Sequence, residues 1–368
     1  MRDERVEKLA DLLVNYSIGV QPGWKVVIRG GAAGAPLMKE VYKHVLLAGG
    51  HPLVMADLPG IQETFFRCAT DEQLQFIHEP VKHIYENYEA SIAIISEENT
   101  RAMTSVNPER RLMHRRAFEP VFNRYLERAG RGELKWTVTL FPTQAHAQDA
   151  EMSLAEYEDF VYRACMPDMD DPIGYWQGVH DRQERVIEWL KGKDAVHVVG
   201  PETDLRLSIA GRRFINCACD ANVPDGEIFT GPVETSANGH VYFSYPAIID
   251  GQMVSGIRLW FENGKVVKAT AEKNEAYLLK TIDTDEGARY LGEFAIGTNE
   301  GIQKFTGQIL FDEKIGGSFH MALGTGYPET GSVNKSAIHW DMVCDLRKGG
   351  EIWVDGELMY RDGNFVIG

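Results

Sequence analysis

In "AIHWDMVCDL", residues 337–346, a histidine and an aspartate stand two positions apart. Ile338, Trp340, Met342 and Cys344 alternate there with His339, Asp341, Val343 and Asp345. Residues i and i+2 of a strand line one face. His339 and Asp341 therefore project together, while Trp340 and Met342 fill the opposite face. A half-buried strand with a solvated polar face would produce the same alternation, so the pair gains meaning only from company.

That company lies upstream. "DGEIFTGPVE" carries Glu227, "YLGEFAIGTN" carries Glu293, and "ILFDEKIGGSFHMALGTGYPETG" carries Glu313, His320 and Tyr327. Singly, Glu227 reads as a turn residue, Glu313 as a surface acid and His320 as a hydrogen-bonded core histidine. Together they are harder to dismiss. Glu293, His320 and His339 sit in stretches whose neighbours read as core, and buried charge is costly unless it is paired or bound to metal. A His/Glu/Asp set without cysteine suits Zn²⁺, Co²⁺, Mn²⁺ or Mg²⁺. Five or six donors fit two ions sharing a carboxylate, a device that hydrolases use to activate a bridging water.

Two kinds of architecture must position these residues. Residues 1–192 alternate strand and helix: "WKVVIRG", "HPLVMADL", "ASIAIIS" and "KWTVTLF" read as strands. Helices fall at about 36–48, 60–87, 107–130, 144–166 and 174–192, the first opened by Pro36 and closed before Gly49-Gly50. This pattern predicts a Rossmann-like α/β domain with a parallel sheet. Residues 193–368 are rich in strands and glycine turns, with helix only around 274–291. Asn263-Gly264 and Asp362-Gly363, each between apolar runs, read as hairpin turns. The second half is thus a β-rich α+β domain, and it holds every candidate donor.

"VVIRGGAAGAP" places Gly30, Gly31 and Gly34 between a strand and a helix, with Asp57 ending the next strand. A dinucleotide fingerprint needs G-x-G-x-x-G. The spacing here is G-G-x-x-G, and Pro36 at a helix start explains the loop, so no nucleotide is expected.

Bulk properties narrow the partners. The 368 residues are 44% hydrophobic and carry a net charge of −16. An acidic chain argues against nucleic acid and anionic membranes, and is compatible with cations. Five scattered cysteines without C-x-x-C suit a reducing cytoplasm, with Cys217 and Cys219 read as same-face residues of one strand. The N-terminal stretch has no apolar core of a signal peptide, and no apolar run of about 18 residues suggests a membrane span.

The motifs around Glu227, Glu293, Glu313–His320, "GYPETG" and His339–Asp341, in this order, resemble the aminopeptidase T / aminopeptidase S family of metalloaminopeptidases. The likeness extends to "PTQAHAQDAEMSLAEYEDFVY" and to the N-terminal pattern, so it spans nearly the whole chain. It implies an exopeptidase that releases N-terminal residues from peptides with two divalent metals, as a homodimer. Carried over by motif, Glu227, Glu293, Glu313, His320, His339 and Asp341 fall at metal-ligand positions. Glu293 looks like the bridging carboxylate, Glu293 or Glu313 is the candidate for proton transfer, and Tyr327 falls at the active-site tyrosine. This chain departs from aminopeptidase T between Glu313 and His320, where "KIGGSF" is a longer stretch. Two other readings stay open on the residues alone: a dimetal hydrolase of a non-peptide substrate, and a non-catalytic protein with a structural metal site.

Overall fold

The computed structural model describes residues 3–249 and 251–367. The chain forms two compact units, residues 3–173 with 219–223, and residues 174–218 with 224–367.

The first unit is built on a parallel sheet. Its strands lie in the order His51–Asp57, Lys25–Gly31, Ala90–Ile95, Lys135–Leu140 and Asn222–Val223. Both faces are buried, Val26, Ile28, Ala90, Ile92 and Ile94 on one and Val27 with Ser91 on the other, as parallel strands covered by helices require. Pro36 stands in the first turn of helix Ala35–Leu47, where its missing N–H costs nothing. The helix expected over 60–87 is three short ones, Ile61–Cys68, Asp71–Gln75 and Glu79–Asn87. Thr70 and Gln73 form a reciprocal capping box that starts the second, and Pro80 opens the third, so local capping interrupts the apolar period. Likewise 144–166 is divided, with Ser153 and Glu156 capping a new helix, Leu154–Cys165.

The second unit is mainly antiparallel. An eight-stranded sheet runs in the order Lys265–Thr270, Ile257–Glu262, Asn238–Phe243, Thr203–Ser208, Ala195–Gly200, Glu351–Val354, Glu357–Arg361 and Asn364–Phe365. A five-stranded sheet runs in the order His339–Asp345, Ser318–Gly324, Leu291–Gly297, Glu227–Thr230 and Ile215–Cys217. Both expected hairpins form. Asn263 and Gly264 have φ of 48° and 83°, and Asp362 and Gly363 have 49° and 83°, the positive pair that a tight hairpin turn needs. One core joins the sheets, with Val198, Leu205 and Leu259 from the larger and Phe294, Phe319 and Trp340 from the smaller. Cys217 and Cys219 are not same-face neighbours of one strand: the strand ends at Cys217, and Cys219 turns left-handed at φ 65°.

Candidate metal centre

Register on the five-stranded sheet explains how distant motifs converge. Glu293 stands opposite Ala322, which stands opposite Asp341. His320 is opposite Ala295, Glu227 is opposite Gly297, and His339 is opposite Gly324. Directly opposed residues share a face, so all five candidate donors project from one side. Each has an alanine or glycine opposite it on one adjacent strand, while on the other side His320 faces Val343 and Glu227 faces Cys217. The alternate residues, including Ile228, Phe294, Ile296, Phe319, Met321, Trp340 and Met342, point into the core. Trp340, 1% exposed, backs the His339–Asp341 pair as its spacing predicts.

The donors cluster tightly. Glu227, Glu293 and His320 each offer an atom within 4.8 Å of the others, and so do Glu293, His339 and Asp341. A further set joins Glu313, His320 and Asp341. Glu293 belongs to the first two sets through different oxygens. Its Oε1 lies 3.4 Å from His320 Nε2, and its Oε2 lies 3.3 Å from His339 Nε2. Two more separations complete the frame, 3.4 Å from His320 Nε2 to Glu227 Oε2 and 3.4 Å from His339 Nε2 to Asp341 Oδ1.

Those lengths bear on a metal. They are long for charge-assisted hydrogen bonds. A tetrahedral ion with ligands at about 2.0–2.1 Å separates its donors by about 3.3–3.4 Å. Glu227 Oε2 and Asp341 Oδ1 are buried and make no hydrogen bond, which marks them as atoms lacking a partner. His339 Nδ1 lies 2.8 Å from the Thr325 carbonyl, so it donates there and turns Nε2 to the acids. A backbone carbonyl behind an imidazole is the usual outer support of a metal-binding histidine. The residues present thus fit divalent cations.

Electrostatics follow from crowding acids and bases out of water. Burial alone would raise Glu293, but hydrogen bonds from His320 and His339 pull it down to about 2. Burial would lower both histidines, yet Glu293 and Glu227 hold His320 at about 9, and Asp341 and Glu293 hold His339 at about 12. Glu313 goes the other way, pushed to about 7 by burial, with Lys314 offsetting part and Glu227 adding to the rise. Glu313 follows the short helix Ile309–Asp312 and is joined to Lys314, whose Nζ lies 2.5 Å from its Oε1. Tyr327 stands at the rim, its ring edge-on to Phe229 and His339 at 5.3 and 5.2 Å. Although the residue is 40% exposed, its hydroxyl is held above the usual phenol value by desolvation first, then by Glu293 and Asp341.

The sequence reading missed two features. One is the row of small residues facing the donors, visible as the Ala and Gly of "EFAIG" and "HMALG". The other is Lys314, a fully buried lysine inside the cluster, foreshadowed by a cation next to two acids in an apolar, Gly-rich run. Glu234 is not in the cluster; it pairs with Arg212 at 2.5 Å and accepts from Ser332 and Val333. A cavity of about 660 Å³ in the same unit, lined by Arg182, Arg185 and Arg347, has none of the donors in its wall.

The sequence matches the family profile described as thermophilic metalloprotease over residues 2–365. The class is therefore a metal-dependent hydrolase acting on peptide bonds. The chain belongs to the thermophilic metalloprotease (M29) family. It is 27% identical to aminopeptidase 2 of Geobacillus stearothermophilus, over 99% of this chain and 98% of that protein. It is 26% identical to aminopeptidase T of Thermus aquaticus, over 99% of each. The fold is similar to that of AmpT from Thermus thermophilus, with a TM-score of 0.86 at 23% identity over 99% of both chains. It is also similar to a dihydroxypyridine dioxygenase from Pseudomonas putida KT2440, with a TM-score of 0.64 at 12% identity. A hydrolase family and an oxygenase sharing one fold illustrate why the chemistry must be argued from the site.

Proposed function

We propose that the protein is an aminopeptidase that releases N-terminal residues from peptides at a pair of divalent ions. The observation that carries this reading is the pair of donor groups, Glu227–Glu293–His320 and Glu293–His339–Asp341, joined through the two oxygens of Glu293. When bound, divalent ions acidify water and polarise a carbonyl. Zn²⁺, Co²⁺, Mn²⁺ and Mg²⁺ are all compatible with this carboxylate-rich set.

The chain's own groups take the remaining roles. Glu293 engages both oxygens with histidines, so its part is to tie the two donor groups together. Glu313, with a value near 7, is suited to accept a proton from water and pass it to the leaving amine. Tyr327, set beside His339 at the rim, would donate its O–H to the oxyanion that develops on the scissile carbonyl. His339 and Asp341 are partly exposed, whereas Glu227, Glu293 and His320 form a buried floor. A peptide end would therefore approach over His339 and Tyr327, and the surrounding carboxylates would anchor its α-ammonium.

Chelator-treated protein should lose cleavage of aminoacyl-anilides and regain it with added Co²⁺, Zn²⁺, Mn²⁺ or Mg²⁺, while N-acetylated peptides resist. Full activity in demonstrably metal-free protein, or efficient internal cleavage of an acetylated peptide, would overturn the reading. Tyr327→Phe should lower kcat by about a hundredfold, with little change in KM; an unchanged kcat would leave Tyr327 a packing residue.

The reading includes a homodimer in a reducing cytoplasm. Edge strand His51–Asp57 exposes Leu53, Val54 and Met55, and such edges are commonly covered. Among the described residues no cysteine is disulfide-bonded, and no helix is long and apolar enough to cross a membrane. Light scattering showing a fully active monomer would remove the dimer, and cell fractionation checks the compartment.

A further inference from the structure

Lys314 is a lysine with no exposure, placed inside the donor cluster. Its Nζ lies 2.6 Å from Glu227 Oε1 and 2.5 Å from Glu313 Oε1, with Asp225 Oδ1 at 3.9 Å. The ammonium has three N–H donors and no acceptor, so its contact with carboxylates is that of a resident cation. Lys314 is buried together with Glu227 and Asp225, and Glu313 is largely buried beside them.

The two donor groups are unequal toward this cation. Glu227 presents Oε1 to Lys314 and has only Oε2 left to face His320 and Glu293. Glu313, which clusters with His320 and Asp341, is also tied to the ammonium. Among the described residues, no ion pair joins Lys314 to Glu293, His339 or Asp341: His339 faces Asp341, Glu293, the Thr325 carbonyl and the Tyr327 ring, and Asp341 approaches the lysine only through its neighbour Glu313. A divalent ion at Glu227 would meet both a carboxylate half occupied and a like charge close by in a medium of low dielectric. An ion at His339–Asp341 would meet neither.

We propose that Lys314 is a built-in competitor for one of the two metal positions, so that the Glu293–His339–Asp341 position fills first and the Glu227–Glu293–His320 position is the weaker, exchangeable one. This inference rests on the two-ion reading above and deepens it. The lysine is a positioning residue: it acts through Glu227 and Glu313. It gives the enzyme a reason to respond to metal supply, since one ion stays and the other comes and goes.

The test is native mass spectrometry of the chelator-stripped full-length protein titrated with Zn²⁺. The one-ion species should predominate over at least a tenfold range of free Zn²⁺ before the two-ion species appears. Lys314→Met keeps the length and apolar stem of the side chain and removes the charge, and it should tighten the second step at least tenfold while leaving the first within about twofold. If that variant does not fold, the unaltered protein still decides the matter. In crystals soaked with one equivalent of Zn²⁺, anomalous scattering should place the ion at Glu293, His339 and Asp341. Direct passage from no ion to two, a second step unchanged or weakened in Lys314→Met, or a first ion bound at Glu227 would each overturn the inference. Binding of no ion would overturn it together with the metal reading. Peptide cleavage is not the readout, so a protein that loads its ions in this order yet cleaves no peptide would refute the aminopeptidase reading alone.

Discussion

Each unit carries a glycine-rich strand end with a histidine and acids nearby, and the two differ in what they leave unsatisfied. In the parallel-sheet unit, Gly30, Gly31 and Gly34 are required by packing. A Cβ on Gly30 would lie 2.2 Å from the Ile94 carbonyl oxygen, and one on Gly31 would lie 2.8 Å from that of Ser96. The histidine of that unit's Thr143-capped helix, His146, meets Glu97 at 3.0 Å. In the antiparallel unit, Glu227 Oε2, Asp341 Oδ1 and His320 Nδ1 are buried without a hydrogen bond. His44 Nε2 of the first unit is also buried without a hydrogen bond, near Glu7 and Glu40, so what sets the second unit apart is the convergence of several such atoms in one cluster.

The largest effect should come from removing two of those atoms. The double change His339→Ala with Asp341→Ala strips one donor group to Glu293 alone. We expect loss of at least one bound metal and a fall in kcat/KM of more than about a hundredfold. Unchanged metal stoichiometry by plasma mass spectrometry would reduce the pair to a solvated strand face and erase the contrast between the units.

A second contrast is one of sign. His320 and His339 stay protonated in the metal-free fold up to about 9 and about 12, held there by carboxylates against the effect of burial. In an unfolded chain a histidine releases its proton near about 6.5. The stability they contribute is therefore complete below that value and drains away as pH rises through 9. Glu313 adds to the same trend: burial raises it to about 7, so its ionisation costs stability as pH rises above the ordinary carboxylate range. Glu97, and within the cluster Glu293, have the opposite sign, because histidine hydrogen bonds lower them and their contribution is lost toward acid. Chelator-stripped protein should lose several degrees of Tm between about pH 6.5 and 9, and metal-loaded protein should lose less. Equal pH slopes with and without metal, measured by calorimetry, would contradict this assignment of charge.

How much of this was legible follows from where each signal resides. His339 and Asp341 announce themselves because a strand's period of two separates donor from core within five residues. Asn263-Gly264 and Asp362-Gly363 are legible because few other pairs accept two positive φ values. Glu227, Glu293 and His320 were found only through the combined motifs, since each alone has an ordinary structural role. Lys314 stands in the sequence as a basic residue beside two acids, and sequence does not tell a buried lysine from a solvated one. The expected 60–87 helix ran together for a related reason: Thr70 with Gln73, and then Pro80, break it by capping, which apolar periodicity does not register.

The smallest effect expected is on the glycine loop, and it is the sharpest probe of the claim that this loop exists for packing. Gly30→Ala would push a methyl against the Ile94 carbonyl, with the Met38 side chain at 3.1 Å. The carbonyl belongs to the central strand Ala90–Ile95, which is paired on both sides and has little freedom to retreat. Overpacking of this kind costs about 1–3 kcal/mol. We expect that loss in denaturant unfolding, with metal content unaltered and kcat on aminoacyl-anilides within about twofold once the protein is folded. If the loop held a ligand for catalysis, the balance would invert: activity would fall by far more than stability. A variant as stable as the parent but inactive would therefore move the functional boundary into the parallel-sheet unit and end the contrast drawn between the two.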